Sequence, residues 1–194
     1  MAEKLLLIDG NSLIHRAFHA LPHLSTSSGQ PTNAVYGLAQ MLLALVEEQA
    51  PDDAVVAFDA PGKTFRHEMY EEYKANRPPT ADELKAQWPH IRELVDALGL
   101  ASVEKEGYEA DDVIGTLARG AREKGMEVTV VSGDKDLLQL LAENVRVLIT
   151  TRGISETTEY DADAFEEEYG IRPEQFVDMK ALTGDSSDNI PGIY

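Results

Sequence analysis

Three short apolar runs, each closed by an aspartate, set the frame of this chain: Lys4 to Asp9, Asp53 to Asp59 and Glu127 to Asp134. Runs so short and so rich in Val, Leu and Ile suit strands buried on both faces of a parallel sheet. Helical patterns alternate with them over Ser12 to Ala20, Ala34 to Gln49, Ala81 to Leu98 and Asp111 to Lys124, with Gly99 and Gly125 as C-terminal stops. The alternation predicts a doubly wound α/β sheet. A further strand is expected over Val145 to Thr150 and a further helix over Pro173 to Thr183. No repeat, low-complexity tract or linker divides the 194 residues, and 43% hydrophobic content supplies one core, so a single unit over 1–194 is expected.

In open α/β sheets, ligands bind in the crevice beyond the carboxyl ends of the strands. Asp9, Asp59 and Asp134 each fall at such an end. Asp136 follows in Ser-Gly-Asp-Lys-Asp, Glu109, Asp111 and Asp112 form Glu-Ala-Asp-Asp where a helix begins, and Asp185 and Asp188 lie in Thr-Gly-Asp-Ser-Ser-Asp-Asn-Ile-Pro-Gly. Singly, each acid reads as a helix cap, a turn former or a solvated charge, and Asp111 and Asp161 read well as caps. Jointly, three strand-terminal aspartates and two Gly-Asp turns point to one centre. Two carboxylates about 4 Å apart repel by roughly 4 kcal/mol at an effective dielectric near 20, so this convergence needs cations. With no cysteine and no obvious histidine pair, the oxygen ligands suit Mg²⁺ or Mn²⁺ rather than zinc, and their number suits two ions flanking a phosphoryl displacement.

The segment Pro61 to Pro79 is too long for an ordinary loop and carries Lys63, Arg66, Lys74 and Arg77. It follows directly from a strand-terminal aspartate, so it is expected to be a mobile element that grips substrate. Within Tyr73-Lys74-Ala75-Asn76-Arg77 the two cations stand at i and i+3 and would share one face of a helix. The competing reading is a solvated turn paired with Glu71 or Glu72.

A net charge of −18 at first opposes a nucleic-acid partner. Two features answer this. Gly10 to Val46 contains no Asp or Glu and begins with His15, Arg16, His19 and His23, while nine of the 35 acids belong to the motifs above, which halves the deficit elsewhere. Neither a signal peptide nor a membrane span is legible, and the lack of cysteine is compatible with a reducing compartment, so a cytoplasmic, nucleoid-associated protein is the expectation, and a monomer is expected as well.

Six motifs in order carry a resemblance: Ile8-Asp9-Gly10-Asn11-Ser12, then Ala57-Phe58-Asp59-Ala60-Pro61-Gly62 with Phe65-Arg66, then Tyr73-Lys74-Ala75-Asn76-Arg77-Pro78. Gly107-Tyr108-Glu109-Ala110-Asp111-Asp112, Gly133-Asp134-Lys135-Asp136-Leu137 and Gly184-Asp185-Ser186-Ser187-Asp188-Asn189-Ile190-Pro191-Gly192 complete the series. Together they closely resemble the 5′ nuclease domain of bacterial DNA polymerase I, a relative of the flap endonucleases. The resemblance implies a PIN-like, resolvase-like three-layer sandwich with a mostly parallel sheet and a helical arch formed by residues 61–80. It implies one metal held mainly by Asp9, Asp59, Glu109 and Asp111 and a second among Asp112, Asp134, Asp136 and Asp185, with Asp188 nearby. Lys74 and Arg77 match the phosphate-facing cations of the arch; Arg16, Lys63, Arg66 and Tyr73 are further expected DNA contacts. The implied activity is 5′-3′ exonuclease or 5′-flap endonuclease hydrolysis of DNA, or of an RNA primer on DNA, at a free 5′ end, flap or nick during replication and repair. Asp9, Asp59 and Asp112 join Lys74 and Arg77 as expected catalytic residues. Family members continue past Ile-Pro-Gly-Ile into a helix-three-turn-helix that grips duplex DNA and often binds K⁺. This chain stops at Tyr194, so that element is expected to be absent and the chain to be part of a longer polymerase.

Two rivals remain at this level. One is a weakly active or inactive nucleic-acid-binding module that keeps the fold. The other is a small-molecule phosphohydrolase of the haloacid dehalogenase type, which wants a second aspartate where this chain has Asn11.

Overall fold

The computed structural model describes residues 2–193. Its frame is a six-stranded sheet in the order β3-β2-β1-β4-β5-β6, formed by β1 Lys4–Asp9, β2 Asp53–Ala57, β3 Ala101–Val103, β4 Glu127–Ser132, β5 Val145–Arg152 and β6 Glu156–Tyr160. All neighbours pair in parallel except β5 and β6. From β1 the chain winds outward through β2 and β3, then crosses back to place β4 on the other side of β1. The strand order therefore reverses between β1 and β4, and a crevice opens at their carboxyl ends.

Side-chain alternation along β1 assigns the two faces of the sheet. Leu6 and Ile8 pack with Leu13 and Ile14 of α1 Gly10–Ala20, Leu38 and Leu42 of α2 Asn33–Gln49, and Ile91 of α5 Trp88–Ala97. Leu7 packs on the opposite face with Ile114 of α6 Ala110–Glu123, Phe165 of α7 Ala162–Tyr169 and Phe176 of α8 Phe176–Thr183. The expected three layers are present. No helix among the described residues is long and apolar enough to cross a membrane.

Four elements depart from the sequence reading. The helix expected over Ala81 to Leu98 divides into α4 Asp82–Lys85 and α5. Pro89 near the start of α5 has no N–H to continue the ladder from Lys85. Gln87 at the break is fully buried; its Oε1 accepts from the N–H groups of Ala34 and Val35 at 2.9 and 3.3 Å, and its amide donates to Asn33 Oδ1 at 3.1 Å. A tertiary cap for α2 thus replaces two residues of helix. The edge strand β3 is too short to carry a period. The other edge, β6, reads Glu-Thr-Thr-Glu-Tyr and is exposed except at Tyr160, a polar composition that protects an open edge but hides it from a hydrophobic pattern. The helix α7 was not anticipated either, although Asp161 does act as its cap, accepting from Ala164 N–H at 2.8 Å.

The 61–80 insertion contains one short helix, α3 Phe65–Met69, followed by turns. Tyr73 to Arg77 is not helical, because the backbone passes through the left-handed region at Lys74, φ 56°. Lys74 is held there by its own N–H, which donates to the Asp188 carbonyl at 3.0 Å.

Candidate active site

The strand ends and helix starts around the β1/β4 crevice fix the carboxylates one by one. Asp9 caps α1: Oδ1 accepts from Ser12 N–H at 3.0 Å, and Oδ2 from the Ser132 hydroxyl at 2.6 Å across the switch point. Gly10 must lack a side chain, since a Cβ there would stand 2.6 Å from the Phe58 ring and 2.9 Å from the Ala57 carbonyl oxygen. Asp59 is oriented from both sides, its N–H donating to Asn11 Oδ1 at 3.0 Å and its Oδ1 accepting from Ala110 N–H at 2.8 Å at the start of α6. Asp112 accepts from Glu109 N–H at 3.0 Å, which closes that helix start. Asp134 accepts from Asp136 N–H at 2.8 Å and opens the 3₁₀ turn Lys135–Leu140. Capping is thus real at Asp9, Asp59, Asp112 and Asp134. Asp111, read from sequence as a cap, makes no side-chain hydrogen bond among the described residues.

The nine acids separate into two groups by what neutralises them. Glu109, Asp112 and Asp188 belong to a clamp built by the insertion. Arg66 binds both oxygens of Asp112 at 2.7 and 2.8 Å. Lys74 Nζ lies 2.9 Å from Glu109 and 4.0 Å from Asp188. Arg77 pairs with Asp188 as well. The Tyr73 hydroxyl, on a side chain only 5% exposed, lies 3.0 Å from Glu109 and 2.9 Å from Asp188. Burial between two carboxylates raises the Tyr73 phenol far above its ordinary value, so it is a fixed donor. Asn76 and Asn189 add bonds of 2.8 Å between the insertion and the Gly184 to Gly192 turn. Asp136 and Asp185 form a second neutralised pair, joined by Lys180 Nζ at 2.8 and 2.6 Å. Asp185, rather than Asp188, shapes its turn, accepting from the N–H groups of Ser187 and Asp188 at 2.8 and 3.2 Å.

Asp9, Asp59, Asp111 and Asp134 have no ion-pair partner among the described residues. They line one cavity of about 810 Å³, together with Glu109, Lys74, Arg77 and Arg16. Burial, reinforced by the charges of Asp59 and Asp134, pushes the Asp9 carboxyl up to about 6 despite its two hydrogen bonds. Burial and the charges of Asp9, Asp134 and Asp59 push Asp111 up to about 8. Asp112 behaves oppositely: burial acts against it, yet Arg66 and the Glu109 N–H hold it below the ordinary carboxylate value. Four oxygen-only side chains with unrelieved mutual repulsion are the donor set a hard divalent cation fits. Among the described residues no three acidic or histidine side chains are placed to grip one ion directly.

Asp112, Asp136, Asp185 and Asp188 do not line the cavity, nor do Lys63, Arg66 and Tyr73. Lys63 is exposed on the insertion. The sequence reading did not assign Ser132, Lys180, His15, His19 or Arg152 to the site. Ser132 had a signal, adjoining the Gly-Asp-Lys-Asp turn, whereas Lys180 is brought to Asp136 only by the packing of α8.

A family model described as 5′-3′ exonuclease, N-terminal resolvase-like domain, matches residues 4–170. The DNA polymerase I of Bacillus subtilis (strain 168) is 53% identical over 191 residues, an alignment covering 98% of this chain and 22% of the polymerase. The chain thus spans about a fifth of the length of that relative. The solved T5 5′-exonuclease with divalent zinc ions bound has a TM-score of 0.76 at 25% identity, covering 98% of this chain and 70% of that one. A T5 flap endonuclease in a pseudo-enzyme-product complex with DNA and metal ions has a TM-score of 0.74 at 24% identity, with the same coverage, and shares the fold. The chain belongs to the family of 5′-3′ exonuclease N-terminal resolvase-like domains.

Proposed function

We propose that the chain hydrolyses DNA phosphodiesters near a free 5′ end, at a flap, nick or primer, with Mg²⁺ or Mn²⁺ held at Asp9, Asp59, Asp111 and Asp134. The observation that carries this reading is the cavity in which these four acids meet without a protein counter-ion while Lys74, Arg77 and Arg16 stand in its wall. The divalent ions bound in the T5 5′-exonuclease support it. Bound there, divalent ions would neutralise the carboxylates and the scissile phosphate and make water a better nucleophile.

The chain's own residues have separable tasks. Ser12, Ser132 and the Ala110 N–H aim Asp9 and Asp59 before any ligand arrives. Mg²⁺ commonly keeps several waters and takes one or two carboxylates directly, which suits acids that face one cavity without closing around a point. Glu109, Asp112, Asp136, Asp185 and Asp188 are engaged by Arg66, Lys74, Arg77 and Lys180, so each can serve a second ion only after its pair opens. Lys74 and Arg77 reach the substrate by exchanging carboxylate for phosphate. The clamp is therefore the element that takes hold of the strand.

A 5′-labelled flap duplex incubated with Mg²⁺ tests the reading. Cleavage is expected, and EDTA or Asp134→Ala is expected to reduce it by about 10³-fold or more, the loss of several kcal/mol of charge stabilisation. Cleavage that survives either change overturns the metal assignment. Binding of the flap without cleavage would favour the non-catalytic module.

A further inference from the structure

The function proposed above draws mainly on the clamp side of the cavity. The cavity is also lined by His15, Arg16 and His19 of α1, by Thr151 and Arg152 at the end of β5 and by Gly153 just after it. No acid interrupts the α1 side, since Gly10 to Val46 contains neither Asp nor Glu.

Two guanidinium groups line this part of the cavity without an ion-pair partner among the described residues. The Nε of Arg16 is buried and has no hydrogen-bond partner among the described residues, a state that folded proteins seldom leave standing. Its Nη2 lies beside Gly133, 3.4 Å from where a Cβ on that residue would be, so the guanidinium stands at the end of β4. Arg152 forms no ion pair among the described residues, although Glu156 stands opposite it in the β5–β6 register. The register shifts between Thr150 and Arg152, and a bulge of this kind re-aims the side chains at the end of a strand. Here that end lines the cavity. On a chain of net charge −18, two unpaired guanidinium groups beside a carboxylate centre are a local inversion of sign. The planar fork of arginine recognises phosphate oxygens in pairs.

We propose that Arg152 is a phosphate ligand for the nucleic-acid strand, acting with Arg16 in the cavity that Lys74 and Arg77 also line, so that the strand is held at the carboxylate centre by more than the clamp. The inference rests on the nuclease reading above and adds a contact made by the β5–β6 turn. Arg152 is exposed and has no ion-pair partner among the described residues, so its replacement does not threaten the fold.

The test is the salt dependence of binding to a labelled 5′-flap DNA over roughly 50 to 200 mM salt. It is measured in EDTA and, in an Asp134→Ala background, in Mg²⁺. Each phosphate contact contributes about 0.7 to 0.9 to the slope of log affinity against log salt. Arg152→Ala and Arg16→Ala are each expected to flatten the slope by that amount and to weaken binding several-fold, while Arg152→Lys retains most of the slope. Arg119→Ala, on an exposed side chain 78% accessible in α6 and outside the cavity, controls for the loss of one charge and is expected to leave the slope unchanged. Melting temperatures with and without Mg²⁺ are expected to match the unsubstituted chain for Arg152→Ala. An unchanged slope for Arg152→Ala beside a flattened one for Arg16→Ala overturns this inference alone. Absence of salt-dependent DNA binding by the unsubstituted chain overturns it together with the nuclease reading.

Discussion

Asp111 bears the least compensated charge in the cavity. Its carboxyl has neither donor nor counter-ion among the described residues, and burial with the charges of Asp9, Asp134 and Asp59 raises it to about 8. A carboxyl whose folded value lies above its unfolded value of 3.8 favours the folded state while protonated, and loses that contribution as pH rises through the folded value. Asp9, raised to about 6, acts in the same direction. The depressed Asp112 has the opposite sign, but its contribution is lost only as pH falls below the ordinary carboxylate value. In EDTA the melting temperature is therefore expected to fall between about pH 5 and pH 8. Asp111→Asn should flatten that fall and raise the melting temperature at pH 8 by about 2 to 4 °C for each kcal/mol of repulsion removed. A lower melting temperature for Asp111→Asn at pH 8 would mean that the carboxylate has a stabilising partner. The sequence places Asp111 and Asp112 side by side in a helix's first turn and cannot tell them apart. One residue of helical rotation, about 100°, turns Asp112 to Arg66 and the Glu109 N–H and leaves Asp111 facing the cavity.

The insertion behaves as an element with its own small hydrogen-bond core. Its centre is the Tyr73 hydroxyl between Glu109 and Asp188, with Lys74, Arg77, Asn76 and Asn189 around it. Bonds to charged acceptors contribute about 1.5 to 3 kcal/mol each, so Tyr73→Phe is expected to weaken the clamp by about 2 kcal/mol. Hydrogen exchange of the amides around residues 73–77 should accelerate by roughly 30-fold, with β1 and β4 unaffected. Equal acceleration in the strands would show instead that the insertion is part of the global core. The basic residues of this element and its excess length were readable along the chain. Its closed form was not, because its partners come from Glu109, Asp112 and the turn after α8, many residues away. The same holds for the break at Gln87. The sequence reading ran one helix through Pro89, and the side-chain cap that Gln87 provides to α2 exists only once the two helices pack.

Across the whole molecule, the surplus of acids makes the metal-free protein repel itself, and screening or binding of cations should relieve that repulsion. Added NaCl is expected to raise the melting temperature in EDTA modestly. Mg²⁺ at matched ionic strength should raise it further, adding about 2.7 kcal/mol of stability at a concentration one hundred times its dissociation constant, and chelation should reverse the effect. Mg²⁺ that does no more than NaCl would leave the four acids without a specific ion. The layered frame followed from period and length: three continuous apolar runs must be buried on both faces, and the helical stretches between them can only cover those faces. The motif residues likewise follow from the chain, since a strand-terminal aspartate marks the carboxyl edge wherever the strand lies in the sheet. Strand order and counter-ion pairing were decided by tertiary structure. Placing β4 beside β1 brings Ser132 to Asp9, and folding of the insertion and α8 onto the carboxyl edge separates five neutralised acids from four without an ion-pair partner among the described residues. Local sequence fixes which groups a residue carries, whereas their charge balance depends on neighbours supplied by distant segments.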